Sequence, residues 1–418
     1  MLILKRSFTS TAIVVNLLLL STVITTIAET GKEFNYSSSY SSDVTPKICK
    51  AKLFGFTGTY LNQAINSSNF GRYYPNGKDQ SQEGVVYEND IKLGGYLYTE
   101  YFQTKEKAKN FDLHYLALSV SGWASEEISF LAEFELEHGG KGDNTFVEQA
   151  FIDYWFKRNI ALKIGAMLVP FNRFDDFHEP LANTLITRSQ VSREIGVSAW
   201  KDVGVNLHGY LDLNADNSIG IDLYGINGLG AGNNLRGSRH YRDNNENIAL
   251  GGRILLVNSR GLEVGGSFYT GAWDDSSNFD VNMIGAHFMF NTEIADFYGE
   301  YSSATSQNPD SAGAKFKDGE MSGYFIQVSK LVHNKYRPTI RFGGLDYLDK
   351  RVFIPNAPTD MITIESTNKQ LTEFAFGFSY YPTSDVVFKI EYSIFSEGDR
   401  VKENKDNNQL GLQAAIKF

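Results

Sequence analysis

Cysteine is nearly absent: Cys49 stands alone in 418 residues. That excludes an intrachain disulfide and any cysteine-based metal cluster, and leaves Cys49 to pack as a small hydrophobe or sit in a loop. Proline is scarce at 9 residues, and nothing in the chain reads as a linker between two domains. Positive charge is also short. The 39 Lys and Arg against 49 Asp and Glu give a net charge of −10, and no stretch is strongly basic, which excludes nucleic acid as a partner. What is plentiful is glycine (38) and aromatic residues (30 Phe, 23 Tyr, 4 Trp), a mixture that suits a strand-rich chain with tight turns and aromatic girdles.

Residues 1–28 read as a signal peptide. Lys5 and Arg6 form a positive start, Ala12 to Val15 and Leu17 to Leu20 an apolar centre, and Thr26-Ile27-Ala28 a small-residue cleavage site. Cys49 lies too far past Ala28 to serve as a lipid anchor. Past this segment there is no second apolar run of membrane-spanning length. An exported chain of this kind crosses a bilayer only as a closed barrel, because every backbone polar group must be paired there.

Period-two alternation begins near residue 91. In Ile128 to Glu137, Ile128, Phe130, Ala132, Phe134 and Leu136 share one face, and Glu133, Glu135 and Glu137 share the other. One face is thus suited to an apolar medium and one to water. The pattern predicts sixteen strands, near 91–103, 110–121, 128–138, 146–156, 160–169, 202–213, 218–228, 248–257, 262–272, 279–290, 293–303, 320–332, 337–347, 370–381, 386–396 and 408–418. Even-to-odd connections are short, as at Lys157-Arg158-Asn159 and Pro382 to Asp385. Many odd-to-even connections are long and polar: 170–201, 229–247, 304–319, 348–369 and 397–407. That parity marks outer-membrane barrels, with short periplasmic turns and long outer loops. The expected fold is therefore an all-β, transmembrane antiparallel β-barrel over 91–418, in contact with outer-membrane lipid.

The last strand places Leu410, Leu412, Ala414, Ile416 and Phe418 on one face. A final aromatic after such alternation looks like the signal read by the barrel-assembly machinery. Residues 29–90 form an N-terminal extension, periplasmic or plug-like. Ser37 to Ser42 is a Ser/Tyr-rich run, and Lys52 to Leu61 would pair as a strand only by upsetting the even count.

An ordered set of pieces resembles the phosphate-selective porin O and P family. Ile91-Lys92-Leu93-Gly94-Gly95-Tyr96 is similar to its first strand, and Phe111 to Gly122 with Ile128-Ser129-Phe130 to its next hairpin. Gly165-Ala166-Met167-Leu168-Val169-Pro170-Phe171 is similar to its entry into loop three. Gly377 to Pro382, with Lys389 and Tyr392, is similar to its closing hairpin. The resemblance implies a sixteen-stranded homotrimer in the Gram-negative outer membrane, with loop three folded into the pore.

Selectivity is where the sequence departs from that family, whose anion-selective members line the pore with arginines and lysines. Alternation puts Glu100, Glu133, Glu135, Glu137, Asp153, Asp212, Asp222, Glu263, Asp296, Glu300 and Glu391 in the lumen. The lumen bases are Lys92, Lys163, Arg253, Arg341, Lys389 and Lys417. An excess of acids favours cations, although acids paired with neighbouring bases would leave the pore weakly selective. The loop after Pro170 carries Arg173, Asp175, Asp176, His178, Glu179, Arg188, Arg193 and Glu194 on apolar anchors Phe171, Phe174, Phe177, Leu181, Leu185 and Ile186. Charges of both signs suit a constriction with a transverse field. The expected function is a porin for small hydrophilic solutes or ions, without phosphate selectivity and without a cofactor. Two rivals remain. One is a structural or adhesive surface barrel. The other is a barrel enzyme, for which none of the seven histidines, His114, His138, His178, His208, His240, His287 and His333, sits in a Gly-x-Ser-x-Gly setting. Asp175, Asp176, His178 and Glu179 together would make at most a solvated cation site.

Overall fold

The computed structural model describes residues 91–104, 110–140, 145–157, 159–231, 235–309, 316–347, 369–397 and 408–418. The signal peptide, the extension and Cys49 lie outside the described residues.

Sixteen antiparallel strands close into one barrel in which each pairs with its sequence neighbours and β1 pairs with β16. They are β1 Lys92–Thr104, β2 Asn110–Trp123, β3 Ile128–Glu137, β4 Thr145–Lys157, β5 Ile160–Leu168, β6 Lys201–Asp212, β7 Asn217–Ile226 and β8 Ala249–Asn258. The second half continues with β9 Leu262–Ala272, β10 Asp280–Asn291, β11 Asp296–Pro309, β12 Phe316–Ser329, β13 Tyr336–Tyr347, β14 Lys369–Thr383, β15 Val386–Glu397 and β16 Gln409–Lys417. At ~3.3 Å per residue these lengths suffice for tilted strands crossing ~30 Å of hydrocarbon.

The alternation has the meaning the sequence assigned to it. Ile152 is 52% exposed while the next residue, Asp153, is fully buried, so apolar side chains face out and acids face in. Near the short-turn ends of β13–β15, Tyr336 stacks on Tyr380 at 5.4 Å and Tyr380 on Phe388 at 6.5 Å. Stacked aromatics at that level suit a membrane interface.

Two strand ends differ from expectation. The β11–β12 hairpin runs past residue 303, with pairing continuing from Ala304↔Met321 to Pro309↔Phe316. Residues 304–308 are mostly polar on both faces, so hydropathy has no period to show while the backbone ladder continues. At the opposite end, 293–295 and 330–335 belong to turns. Thr292 Oγ1 accepts from Ala295 N at 3.0 Å, and His333 and Asn334 take φ values of 51° and 57° that end the strand.

The seam closes at the last residue. Phe418 N donates to Gly95 O and Gly95 N to Phe418 O, both at 3.0 Å. The Phe418 ring lies 3.1 Å from where a Cβ at Gly95 would stand, and that Cβ would also collide with the Ala117 carbonyl, so only glycine admits the ring. Deleting Phe418 removes both hydrogen bonds and this contact. The expected result is a lower yield of heat-modifiable barrel in outer-membrane fractions. Unchanged yield and heat-shift would contradict it.

Candidate functional site

The connection from β5 to β6, residues 169–200, folds inside the barrel. Its sequence explains why. Phe171, Phe174, Leu181, Leu185, Ile186, Val191, Ile195 and Trp200 are all buried, each such side chain contributing about 1.5–3 kcal/mol when removed from water. Val169, Phe171, Val191, Ile195, Val197 and Trp200 join the inward residues Tyr224, Tyr269, Met283, Met321 and Phe325 in one apolar cluster. Leu181 joins a second with Tyr96, Tyr98, Tyr115 and Tyr381. The wall makes room with glycine: a Cβ at Gly285 would collide with Asn172, and one at Gly377 with Leu185.

Within the loop, Ser189 caps the short helix Gln190–Glu194 by accepting from Ser192 N at 3.1 Å. Val197 is held at φ 54°, a costly conformation for a β-branched residue. Ser198 N→Ser192 O at 2.9 Å closes that turn, and the Asp175 carboxylate accepts from Ala199 N at 2.7 Å just beyond it.

Polar tethers fix the loop to the wall, and acids of the wall supply many of them. Glu391 accepts from Ile186 N at 2.5 Å and Thr187 N at 2.9 Å, and from the Thr187 hydroxyl. Glu373 accepts from Gln190 N at 2.8 Å and from Arg341 Nε at 2.6 Å. Arg341 in turn donates to Thr187 O at 2.8 Å. Glu300 accepts from Arg173 N at 2.9 Å and Ser192 Oγ at 3.0 Å. Arg173 binds Glu263 at 2.6 Å and also Asp176. Burial works against the Arg173 cation, but Glu263 and Asp176 outweigh it and raise its pKa. Arg253 bridges Asp176 at 2.6 Å and Asp222 at 2.9 Å, and donates to Asn172 O at 2.6 Å. Lys389 donates to Asn183 O at 2.6 Å.

The remaining sequence-assigned residues are placed as follows. Glu133 accepts from Gln149 at 3.1 Å, Glu137 from the Tyr115 hydroxyl at 2.6 Å, and Glu135 pairs with Lys201. Lys163 lies 3.7 Å from Asp153. Asp296 is buried beside Arg337 at 3.7 Å. Asp212, the last residue of β6, is exposed at the short-turn rim rather than in the lumen, and bonds Ser218 at 2.5 Å. In the loop, Glu179 meets Lys417 at 3.5 Å, Arg188 donates to Ser198 at 3.3 Å, and Arg193 is exposed and pairs with Glu194 at 3.3 Å. Asp175 and Asp176 turn to different partners, and no described group of three or more His, Cys, Asp or Glu could hold a metal ion.

Several inward residues escaped the sequence reading. Glu148 should face out by parity, but a bulge at Glu133/Phe134 shifts the β3–β4 register and brings it in. Glu373 and Arg337 share the inward faces of β14 and β13, and the same alternation could have found them. Arg236 and Arg239, from the loop after β7, have no strand period to reveal them. Arg239 donates to Ala199 O at 2.6 Å. Burial, with the guanidiniums of Arg193, Arg188 and Arg239 nearby, brings Arg236 down to about 10.

His178 makes one contact sensitive to pH. Its Nε2 lies 3.1 Å from Glu148, held by charge rather than by an aligned hydrogen bond. Burial alone would lower its pKa, but Glu148 outweighs burial and brings it up to about 9. The pair is therefore at full strength below the ordinary value of 6.5 and is lost as pH rises through about 9. Open-channel current noise is expected to grow between pH 7 and 10 as the loop's hold on β4 loosens, and His178→Gln should abolish that dependence. An identical pH profile in the variant would contradict this assignment.

Comparison with known proteins gives the same picture. The model of the family described as phosphate-selective porin O and P matches residues 93–280. An uncharacterized protein of Aquifex aeolicus is 24% identical over 356 residues, covering 76% of this chain and 78% of its own. Among solved structures, the outer membrane channel DcaP of Acinetobacter baumannii superposes with a TM-score of 0.56 at 12% identity, covering 81% of this chain and 100% of that one. The trimer form of OmpT from Vibrio cholerae gives 0.55 at 11% identity, covering 79% and 100%.

A closed sixteen-stranded barrel with apolar residues outward and a long loop folded inside defines the class: this is an outer-membrane channel protein of the porin type, resident in the Gram-negative outer membrane. Within that class the match supports the phosphate-selective porin O and P family, taking in β1 to β9 and the inserted loop. Phosphate selectivity itself does not follow from the match.

Proposed function

We propose that the protein is a homotrimeric, weakly selective diffusion channel for small hydrophilic solutes and ions. The observation that carries this reading is the loop 169–200, folded inward and pinned to the inner wall from β8 to β15 by charge-assisted hydrogen bonds. Such bonds are short and geometrically specific, so they hold a constriction of fixed shape rather than a mobile flap. Arg173, Asp175, Asp176, Glu179, Arg188 and Arg193 act within that constriction, and the inward acids and bases of the strands line its approaches. Residues 1–28 direct export, residues 29–90 are an N-terminal extension, periplasmic or plug-like, and Phe418 is read by the assembly machinery. The trimer is supported by the likeness to the trimer form of OmpT. Family and fold favour a channel over a barrel enzyme or a sealed surface protein.

Swelling of liposomes carrying the purified protein tests the reading. Small neutral sugars should enter quickly and large oligosaccharides slowly. Absence of swelling with a heat-modifiable, folded protein would refute passive diffusion.

A further inference from the structure

Below the inserted loop lies a pocket that the constriction does not use. Phe174, Phe177 and Thr184 of the loop form one side, and the short-turn ends of β11 to β13 form the other, with Asp296, Tyr298, Gln327 and Arg337. It is an open pocket with a cavity volume of about 100 Å³, which limits it to small ligands. Its chemistry is mixed in an ordered way. Phe177 and Tyr298 meet edge-on at 6.3 Å and supply an aromatic wall. Gln327 Nε2 is already committed to Thr184 Oγ1 at 2.9 Å, which ties the loop to the pocket floor.

The charged pair at the floor carries the argument. Asp296 is only 9% exposed, yet neither of its carboxylate oxygens accepts a hydrogen bond from a described residue. The Arg337 guanidinium stands 3.7 Å from it, too far for a hydrogen bond. A buried carboxylate without donors is costly, and a ligand bearing an N–H cation would relieve that cost. The guanidinium beside it, one nitrogen of which already donates to Ser329 Oγ at 3.4 Å, adds a charged donor for a carboxylate. Because the two charges cancel, the pocket suits a ligand of zero net charge. A free anion such as phosphate would meet Arg337 and Asp296 together.

We propose that this pocket is a binding subsite for small zwitterions with an apolar or aromatic side chain, of the α-amino-acid class. The ammonium meets Asp296, the carboxylate meets Arg337, and the side chain lies against Phe177 and Tyr298. The subsite deepens the channel reading, on which it rests, by naming a solute class that pauses below the constriction.

The test is a ligand-observed NMR titration of the folded, detergent-solubilised full chain. The probes are L-phenylalanine, phenylacetate (no ammonium), phenethylamine (no carboxylate) and inorganic phosphate. L-phenylalanine should bind at least five-fold tighter than either single-charge analogue, and excess phosphate should not displace it. Asp296→Asn and Arg337→Gln, each checked for heat-modifiable folding, should weaken it severalfold. Equal binding of phenylacetate and L-phenylalanine to the wild type would overturn the proposal even if no variant folds, as would displacement by phosphate or unchanged binding in folded Asp296→Asn. Because binding is read without conduction, a protein that binds L-phenylalanine but fails the swelling assay would refute the channel and spare the pocket.

Discussion

Replacing Glu391 and Glu373 together by alanine is expected to raise single-channel conductance severalfold and to make the open current noisy. Glu391 accepts from both backbone amides of Ile186-Thr187, and Glu373 holds Gln190 N and the guanidinium that caps Thr187 O. Hydrogen bonds to charged groups contribute about 1.5–3 kcal/mol each. Losing these two anchors loosens the stretch 186–190, beyond the tethers that remain at Asn183 and Thr184. Arg341 is then left buried without its carboxylate, at a cost of about 3–5 kcal/mol. For that reason Glu391→Gln, which keeps shape but not charge, is the companion variant, with heat-modifiable migration as the folding control. It should give a smaller rise in the same direction. Wild-type conductance in both folded variants would mean that the apolar anchors and the other polar tethers hold the loop without these two acids.

The second large effect concerns charge selectivity. Glu133, Glu135 and Glu137 stand at successive inward positions of β3, about 6.6 Å apart at ~3.3 Å per residue, inside the ~8 Å Debye length at physiological salt. Their fields overlap, and Arg188, near Glu135, and Arg239, near Glu137, oppose them from the loops, with Arg236 beside those two arginines. The wild-type pore is therefore expected to prefer cations weakly, and more at low salt than at high. In a salt gradient, Glu133→Gln/Glu135→Gln/Glu137→Gln should move the reversal potential toward anions, and Arg188→Gln/Arg236→Gln/Arg239→Gln toward cations. Marked anion preference in the wild type would show that the loop arginines govern the pore.

Much of this architecture was legible in the chain. A barrel strand shows one face to lipid and one to water, so β3 announces itself residue by residue. The parity of turn lengths fixes which ends are which. What hydropathy cannot see is a ladder whose two faces are both polar, as in 304–308, or a bulge that turns Glu148 inward. The inserted loop was legible as a loop with apolar anchors, because Phe171, Leu181 and Leu185 have no place on a solvated surface. The work of the acids was not. Counting them by face showed only an excess of lumen acids, not that Glu263, Glu300 and Glu391, with Glu373, hold the loop. Which carboxylate meets which amide depends on contacts about 100–200 residues apart in sequence, and no local pattern encodes them.

Single-channel recording of the wild-type protein in planar bilayers tests the central claim most directly. Discrete open steps, with a nearly linear current–voltage relation at low voltage, are predicted. A folded, heat-modifiable protein that inserts and passes no current would contradict the account and identify a sealed surface barrel.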